Sequence, residues 1–174
     1  MTPWLGSAAD ILSSKKLQNK NRDLLQKAKN YAFLLLKFRP RSEKEVYQRL
    51  KKKKFDEQVI KETLVFLKDK DFLNDTFFAK AWIESRLKRP LGLRRIKQEL
   101  KIKGIDNKII DNQIKEIKED YAEGNIVAKI AQKKFSQLRD IELEKAKRRI
   151  FSYLVRRGFS PDVVIDVVNE CCKL

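Results

Sequence analysis

Arg94, Lys97 and Lys101 follow one another at spacings of three and four residues. Wound into a helix they share one face, turned away from Ile96 and Leu100. Guanidinium and ammonium groups in such a row are phosphate ligands, contributing charge and hydrogen bonds without reading a base sequence. Arg86 and Arg89 lead into the row, Arg95 lies within it and Lys103 just after it, and Lys53, Arg156 and Arg157 occupy comparable segments elsewhere in the chain. Lys53, Lys103 and Arg157 each close an apolar helical stripe, where a cation also complements the helix C-terminus. At those three positions a structural role and a phosphate-binding role coincide.

What the sequence lacks narrows the function further. There is no histidine, which removes the commonest general base and metal ligand. No glycine-rich phosphate cradle, cysteine ligand set or nucleophile elbow is present. Asp106, Asp111 and Glu116 share a polar segment with lysines and suit solvation better than catalysis. We therefore expect no catalytic residue, no metal and no cofactor, in a protein that works by binding. Cys171 and Cys172 are adjacent, a spacing that rarely permits a mutual disulfide, and Cys171 fits a core position as a small hydrophobe.

The elements that hold these cations recur along the chain. Lys53-Lys54-Phe55-Asp56, Lys103-Gly104-Ile105-Asp106 and Arg157-Gly158-Phe159-Ser160 fall 50 and 54 residues apart, each between two apolar stripes of helical period. In the same register Val46, Ile96 and Ile150 align, as do Leu50, Leu100 and Leu154. Beyond the turn, Ile60, Ile110 and Val164 align, then Leu67, Ile117 and Cys171. Shared offsets over this many positions mark a tandem array of one helical unit. The fold expected is all-α: an elongated array of three three-helix repeats, with no significant strand. Residues 23–72, 73–120 and 121–174 form the repeats, and residues 1–22 lie outside them, with Ser13 to Arg22 expected to be loosely ordered.

Local signals place the helices. In the first repeat they are predicted over Asp23 to Phe38, Glu43 to Lys53 and Glu57 to Leu67. Ser42 with Glu45 forms a capping box for the middle one. Gly104 and Gly158 suit the left-handed residue that ends many helices, and Asp56, Asp106 and Ser160 suit the cap of the next. Lys54 replaces the glycine in the first repeat, so that turn is expected either to carry strain of up to about 1 kcal/mol or to close differently. The four additional residues of the third repeat are placed in Ser136 to Asp140. Trp82, near Phe78 on one apolar face, is expected to pack rather than to stack on a base.

Charge follows the repeat. Formal charge is +17 over 174 residues. Residues 37–54 hold nine basic and two acidic residues, and this window with 87–104 and 141–158 carries +7, +6 and +4, equal to the whole excess. The third-helix windows 55–67, 105–117 and 159–171 are each slightly acidic. Repeated basic middle helices are the electrostatic footprint of a polyanion binder, and nucleic acid is the commonest polyanion. The longest apolar run, Tyr31 to Leu36, is far short of the ~20 residues that span a bilayer. With no secretory signal recognised at Met1 to Ile11, a cytoplasmic monomer with no membrane partner is expected.

Phe78-Ala79-Lys80-Ala81-Trp82-Ile83-Glu84-Ser85-Arg86, followed by Arg95-Ile96-Lys97-Gln98-Glu99-Leu100 and Lys103-Gly104-Ile105, resembles the signature of the RecX family, regulators of the RecA recombinase. Arg39-Pro40-Arg41-Ser42 with Glu45 resembles that family's first unit, and Arg156-Arg157-Gly158-Phe159 its third. The resemblance covers about residues 25–172. It departs at Lys54, at Leu93 where a proline often follows the Gly92 equivalent, and in the N-terminal extension. It implies a non-enzymatic DNA-repair regulator of homologous recombination and the SOS response. Such proteins bind the RecA filament on single-stranded DNA, lie in its groove, and limit filament growth, strand exchange and coupled ATP hydrolysis. Double-stranded DNA is a further implied ligand. The charge pattern by itself leaves open a free-standing, sequence-nonspecific nucleic-acid binder.

Overall fold

The computed structural model describes residues 8–119, 121–138 and 141–171, with side chains from Asn19 onward. Among the described residues there are nine helices and no strand: α1 (Ala8–Phe38), α2 (Glu43–Lys52), α3 (Glu57–Asp69), α4 (Asp75–Leu87), α5 (Leu93–Ile102), α6 (Asn107–Lys118), α7 (Glu123–Ser136), α8 (Leu143–Arg156) and α9 (Pro161–Cys171). They form three consecutive trios, as the repeat requires. The chain divides into two compact units, Met1–Asp75 and Thr76–Leu174, the first built on one trio and the second on two. Cys172 lies outside the described residues.

Each trio has its own core, made from the same register positions in its middle and third helices. The first helices contribute pairs spaced i, i+4: Ala28 and Ala32, Ala79 and Ile83, Val127 and Ala131. The middle helices contribute Val46 and Leu50, Ile96 and Leu100, Ile150 and Leu154, all but inaccessible to solvent. The third helices close the core with Ile60 and Leu67, with Ile110, and with Val164 and Val168. Residues spaced three, four or seven apart form one narrow apolar stripe on a helix, and three such stripes converge on each core. Cys171 packs at the edge of the third core, where burial pushes its thiol up.

The turn between middle and third helices repeats in its hydrogen bonds. The Phe55, Ile105 and Phe159 amides donate back to the carbonyls of Leu50, Leu100 and Leu154, at 3.4, 3.1 and 3.4 Å. The Lys54, Gly104 and Gly158 amides donate to Lys51, Lys101 and Val155, at 2.9, 3.0 and 2.9 Å. This is the Schellman arrangement, which needs a left-handed residue at the second position. Gly104 and Gly158 supply it at φ 83° and 87°, and Lys54 adopts it at φ 63°. The first turn therefore closes as the others do, at a conformational cost. Lys54→Gly should raise the stability of the first unit by up to about 1 kcal/mol, seen as a higher urea midpoint with unchanged slope.

Two local expectations are corrected. The first helix begins at Ala8 rather than Asp23, so Ser13 to Arg22 is helical. No glycine or proline interrupts Ala8 to Phe38, and the run is rich in lysine, leucine and alanine, which favour the helix. The sequence places the extra length of the third repeat at Ser136 to Asp140, of which 139 and 140 lie outside the described residues, but the helix that follows already accommodates four residues. This helix, α8, starts at Leu143, four residues earlier in the repeat register than α2 and α5, and has 14 residues against 10 in each of those. The insertion is one additional helical turn.

Candidate nucleic-acid interface

The N-terminus of α5 leaves its first amides without intrahelical partners. Here two amides at that end are satisfied by the third repeat. Gly92 N–H donates to the Arg157 carbonyl at 3.0 Å, and Arg94 N–H donates to the Gly158 carbonyl at 3.2 Å. The carbonyls that close α8 thus meet amides that open α5, so the negative end of one helix faces the positive end of the other. The approach is close because two side chains are missing. A Cβ on Gly92 would sit under 3.0 Å from the Gly158 carbonyl oxygen, and one on Gly158 would sit under 3.0 Å from the Arg95 backbone nitrogen. Gly92 has an ordinary extended backbone, so space rather than conformation demands it.

Further contacts hold the junction. Arg157 donates to the Pro90 carbonyl at 3.1 Å, and the Tyr121 hydroxyl donates to the Leu91 carbonyl at 2.8 Å. Burial, with the charge of Glu123 nearby, pushes the Tyr121 phenol up to about 12. An unfolded tyrosine ionises near ~10, so this contribution is complete below about 10 and is lost as pH rises towards about 12. Ultraviolet titration should show one phenol lagging to about 12, absent in Tyr121→Phe, and that variant should lose about 1 kcal/mol of stability.

Against this joint lies an open cleft of about 380 Å³, lined by Arg94, Arg95, Lys97, Gln98, Lys101 and Arg156. Two repeats therefore pool their cations. Arg94 and Arg95 stand in the first turn of α5, which has no acidic residue, whereas α2 and α8 carry glutamates there. Positive charge at a helix N-terminus is unfavourable by roughly 0.3–1 kcal/mol. Arg95 is offset by its i,i+4 partner Glu99, whereas no such pair among the described residues offsets the cost of Arg94. Arg94, Lys101 and Arg156 are exposed and have no carboxylate partner among the described residues. Lys97 pairs with Asp111 of α6 and Arg95 pairs with Glu99 at 3.3 Å.

Not every predicted cation comes to this cleft. Arg86 is half-buried, its Nε donating to Glu99 at 2.7 Å and its guanidinium lying 4.1 Å from the centre of the Trp82 ring. Trp82 donates to the same carboxylate at 3.1 Å and stacks on Phe78 with centroids 5.7 Å apart, so it packs as expected. Burial disfavours the Glu99 charge, yet the hydrogen bond and charge of Arg86, aided by Trp82 and Arg95, hold its carboxyl below the usual range. This charge cluster joins α4 to α5, and Arg95, which lines the cleft, is tied to it through Glu99. Lys53, Lys103 and Arg157 sit at the C-caps of α2, α5 and α8. Their head groups lie 5.4, 4.8 and 4.8 Å from the ring centres of Tyr31, Trp82 and Tyr153. Lys53 belongs to the first unit.

Sequence reasoning missed the glycine contact and the Tyr121 bond. Gly92 precedes the basic helix in an extended segment where no turn needs it, and that was the available signal.

Comparison with known proteins gives a consistent result along the chain. Residues 28–67 match the family model for the first three-helix domain of RecX, residues 74–112 the second and residues 125–168 the third. Regulatory protein RecX of Pasteurella multocida is 34% identical over 143 residues, covering 82% of this chain and 86% of that protein. Regulatory protein RecX of Clostridium botulinum is 29% identical over 164 residues, covering 92% of this chain and 76% of the relative. The crystal structure of RecX from Lactobacillus salivarius shares the fold, with a TM-score of 0.77 at 24% identity over 88% of this chain and 99% of that one.

Proposed function

Because the chain belongs to the RecX family, we propose that it regulates the RecA recombinase by binding the helical filament that RecA forms on single-stranded DNA. In this reading it lies along the filament groove and limits filament growth, strand exchange and the ATP hydrolysis coupled to them. It acts by binding rather than by catalysis, as a monomer in the cytoplasm where DNA is repaired. Single-stranded DNA is the nucleic-acid partner, and double-stranded DNA is a weaker ligand of the same surface.

The observation that carries the DNA part of this reading is the junction cleft. Its cations come from two repeats, welded through Gly92 and Gly158 at a spacing that a flexible joint would not hold. Such preorganisation lowers the ordering cost of engaging consecutive phosphates. Contacts of this kind give affinity without sequence preference, which suits a regulator of a filament that coats any DNA. Trp82, Arg86 and Glu99, which belong to the stretch that carries the family resemblance, hold Arg95 of the cleft through its pair with Glu99, which supports a shared role for this surface.

The test compares bare single-stranded DNA with pre-assembled RecA filaments. Filaments should be bound more tightly than bare DNA, and addition of the protein should depress RecA ATPase in proportion to occupancy. Equal affinity for both, with ATPase unchanged, would leave a nonspecific nucleic-acid binder in place of the regulator.

A further inference from the structure

A second cationic cleft lies wholly within the third repeat. It encloses about 540 Å³ between α7 and α8, and its rim is formed by Lys134, Lys145, Arg148, Arg149 and Arg156. No carboxylate lines it among the described residues. Arg156 lines this cleft and the junction cleft alike, so the two adjoin at that side chain.

The repeat register shows how this cleft came to be positive. Arg41, Glu45, Gln48, Arg49 and Lys52 line an open cleft of about 290 Å³ in the first repeat. The residues aligned with them, 104 positions later, are Lys145, Arg149, Ser152, Tyr153 and Arg156, which line the third-repeat cleft. The same face of the middle helix is therefore used twice. In the first repeat Glu45 receives two hydrogen bonds from Arg39, at 3.0 and 3.1 Å, and the cleft neutralises part of its own charge. In the third, arginine replaces that glutamate. In the second repeat these positions are Leu91, Arg95, Gln98, Glu99 and Ile102; Arg95 and Gln98 line the junction cleft, and Glu99 is engaged by Arg86 and Trp82.

The additional turn that begins α8 is part of this construction. It carries Lys145 on a helix, whereas Arg41 precedes α2 and donates instead to the Leu35 carbonyl at 3.1 Å. Beside the cationic rim, Leu138 and the edge of the Tyr153 ring, whose centre lies 4.8 Å from Lys134 Nζ, contribute apolar surface, while Ile150 is buried beneath. A site for inorganic phosphate has no use for such a surface, whereas the sugars and bases of a nucleic-acid strand do.

We propose that the third-repeat cleft is a second phosphate-binding subsite for single-stranded nucleic acid, through which a strand held in the junction cleft continues past Arg156. This rests on the nucleic-acid reading of the junction cleft and extends it by naming the path. Lys145 and Arg149 are the phosphate contacts peculiar to the second subsite, since neither lines the first.

The experiment measures binding of a graded series of fluorescent oligothymidylates, across a salt series, to the full chain and to the Lys145→Gln, Arg149→Gln double variant. Both side chains are exposed, and coincident unfolding curves will verify that the fold is retained. The shortest oligomers that bind should do so equally to both proteins. Beyond a threshold length the unsubstituted chain should gain salt dependence, and the variant should lack up to about 1.4 of that logarithmic slope, at about 0.7 per phosphate. A variant that matches the parent at every length overturns the second subsite, as does equal weakening at all lengths. If tripolyphosphate binds and no oligomer does, both clefts fail as strand sites. Unchanged RecA ATPase with the length step intact would instead remove the filament reading and leave this one standing.

Discussion

Gly158→Ala should lower the stability of the second unit by about 2–4 kcal/mol, a fall of about 10–20 °C in its unfolding midpoint. Two costs combine. At φ 87° a Cβ meets the intrinsic penalty of the left-handed region, and here it would also lie under 3.0 Å from both the Cβ and the backbone nitrogen of Arg95. Backbone cannot swing aside as a long side chain can, so α5 must withdraw from α8. The hydrogen bonds from Gly92 and Arg94 would stretch with it. Gly92→Ala should behave similarly although its backbone is relaxed, because its Cβ would strike the Gly158 carbonyl. Gly124 is the control. It lies in the first turn of α7 with nothing within 4 Å of a Cβ, so Gly124→Ala should stabilise by up to about 1 kcal/mol. Thermal unfolding of the three variants checks the set, and a Gly158→Ala protein as stable as the parent would mean that the two repeats are not welded there.

The second large effect concerns charge. Replacing Arg94, Lys101 and Arg156 together by glutamine should reduce the logarithmic salt slope for single-stranded DNA by about 2, at about 0.7 for each phosphate that a cation no longer neutralises. The weakening should be greatest at low salt and should shrink as salt rises, since screening already reduces the same attraction in the parent. These three cations are exposed and lack carboxylate partners among the described residues, so removing them should leave the stability within about 0.5 kcal/mol of the parent. Arg86→Gln should do the opposite. It strips a half-buried partner from Glu99 and a stacked cation from Trp82, and should destabilise α4 against α5 by about 1–3 kcal/mol. Salt titration of binding beside urea unfolding separates the two classes of arginine.

Much of this is legible in the sequence because it is local. A stripe at i, i+4, a capping serine and a glycine after the last apolar residue act within a turn or two, so helices and Schellman turns follow from neighbours alone. The repeat strengthens the signal, since Val46, Ile96 and Ile150 mark one core position three times. The signal fails where local patterns are weak. The polar run before Asp23 has no apolar stripe to mark a helix, yet nothing in it breaks one. The offsets reveal four extra residues in the third repeat, but an offset counts residues and does not say whether they coil. Arg148 and Arg149 align with Arg94 and Arg95 in the same register, yet they sit in the least positive of the three middle-helix windows. Bulk charge therefore hides them, and only their neighbours in space reveal the cleft.

Sequence alone determined that this chain is three copies of a helical trio, that its excess charge resides on the middle helices, and that it belongs with a family of regulators. Each of those properties is a sum over residues near one another in the chain, or a match to a pattern of them. Only the tertiary structure decided which cations are exposed and which are held. Arg86 and Arg94 read alike as letters, but one faces Glu99 and Trp82 while the other faces solvent at the mouth of a cleft. The cleft itself depends on two glycines 66 residues apart meeting without side chains between them. Contact between such distant positions is set by packing of whole repeats, and no local period encodes it.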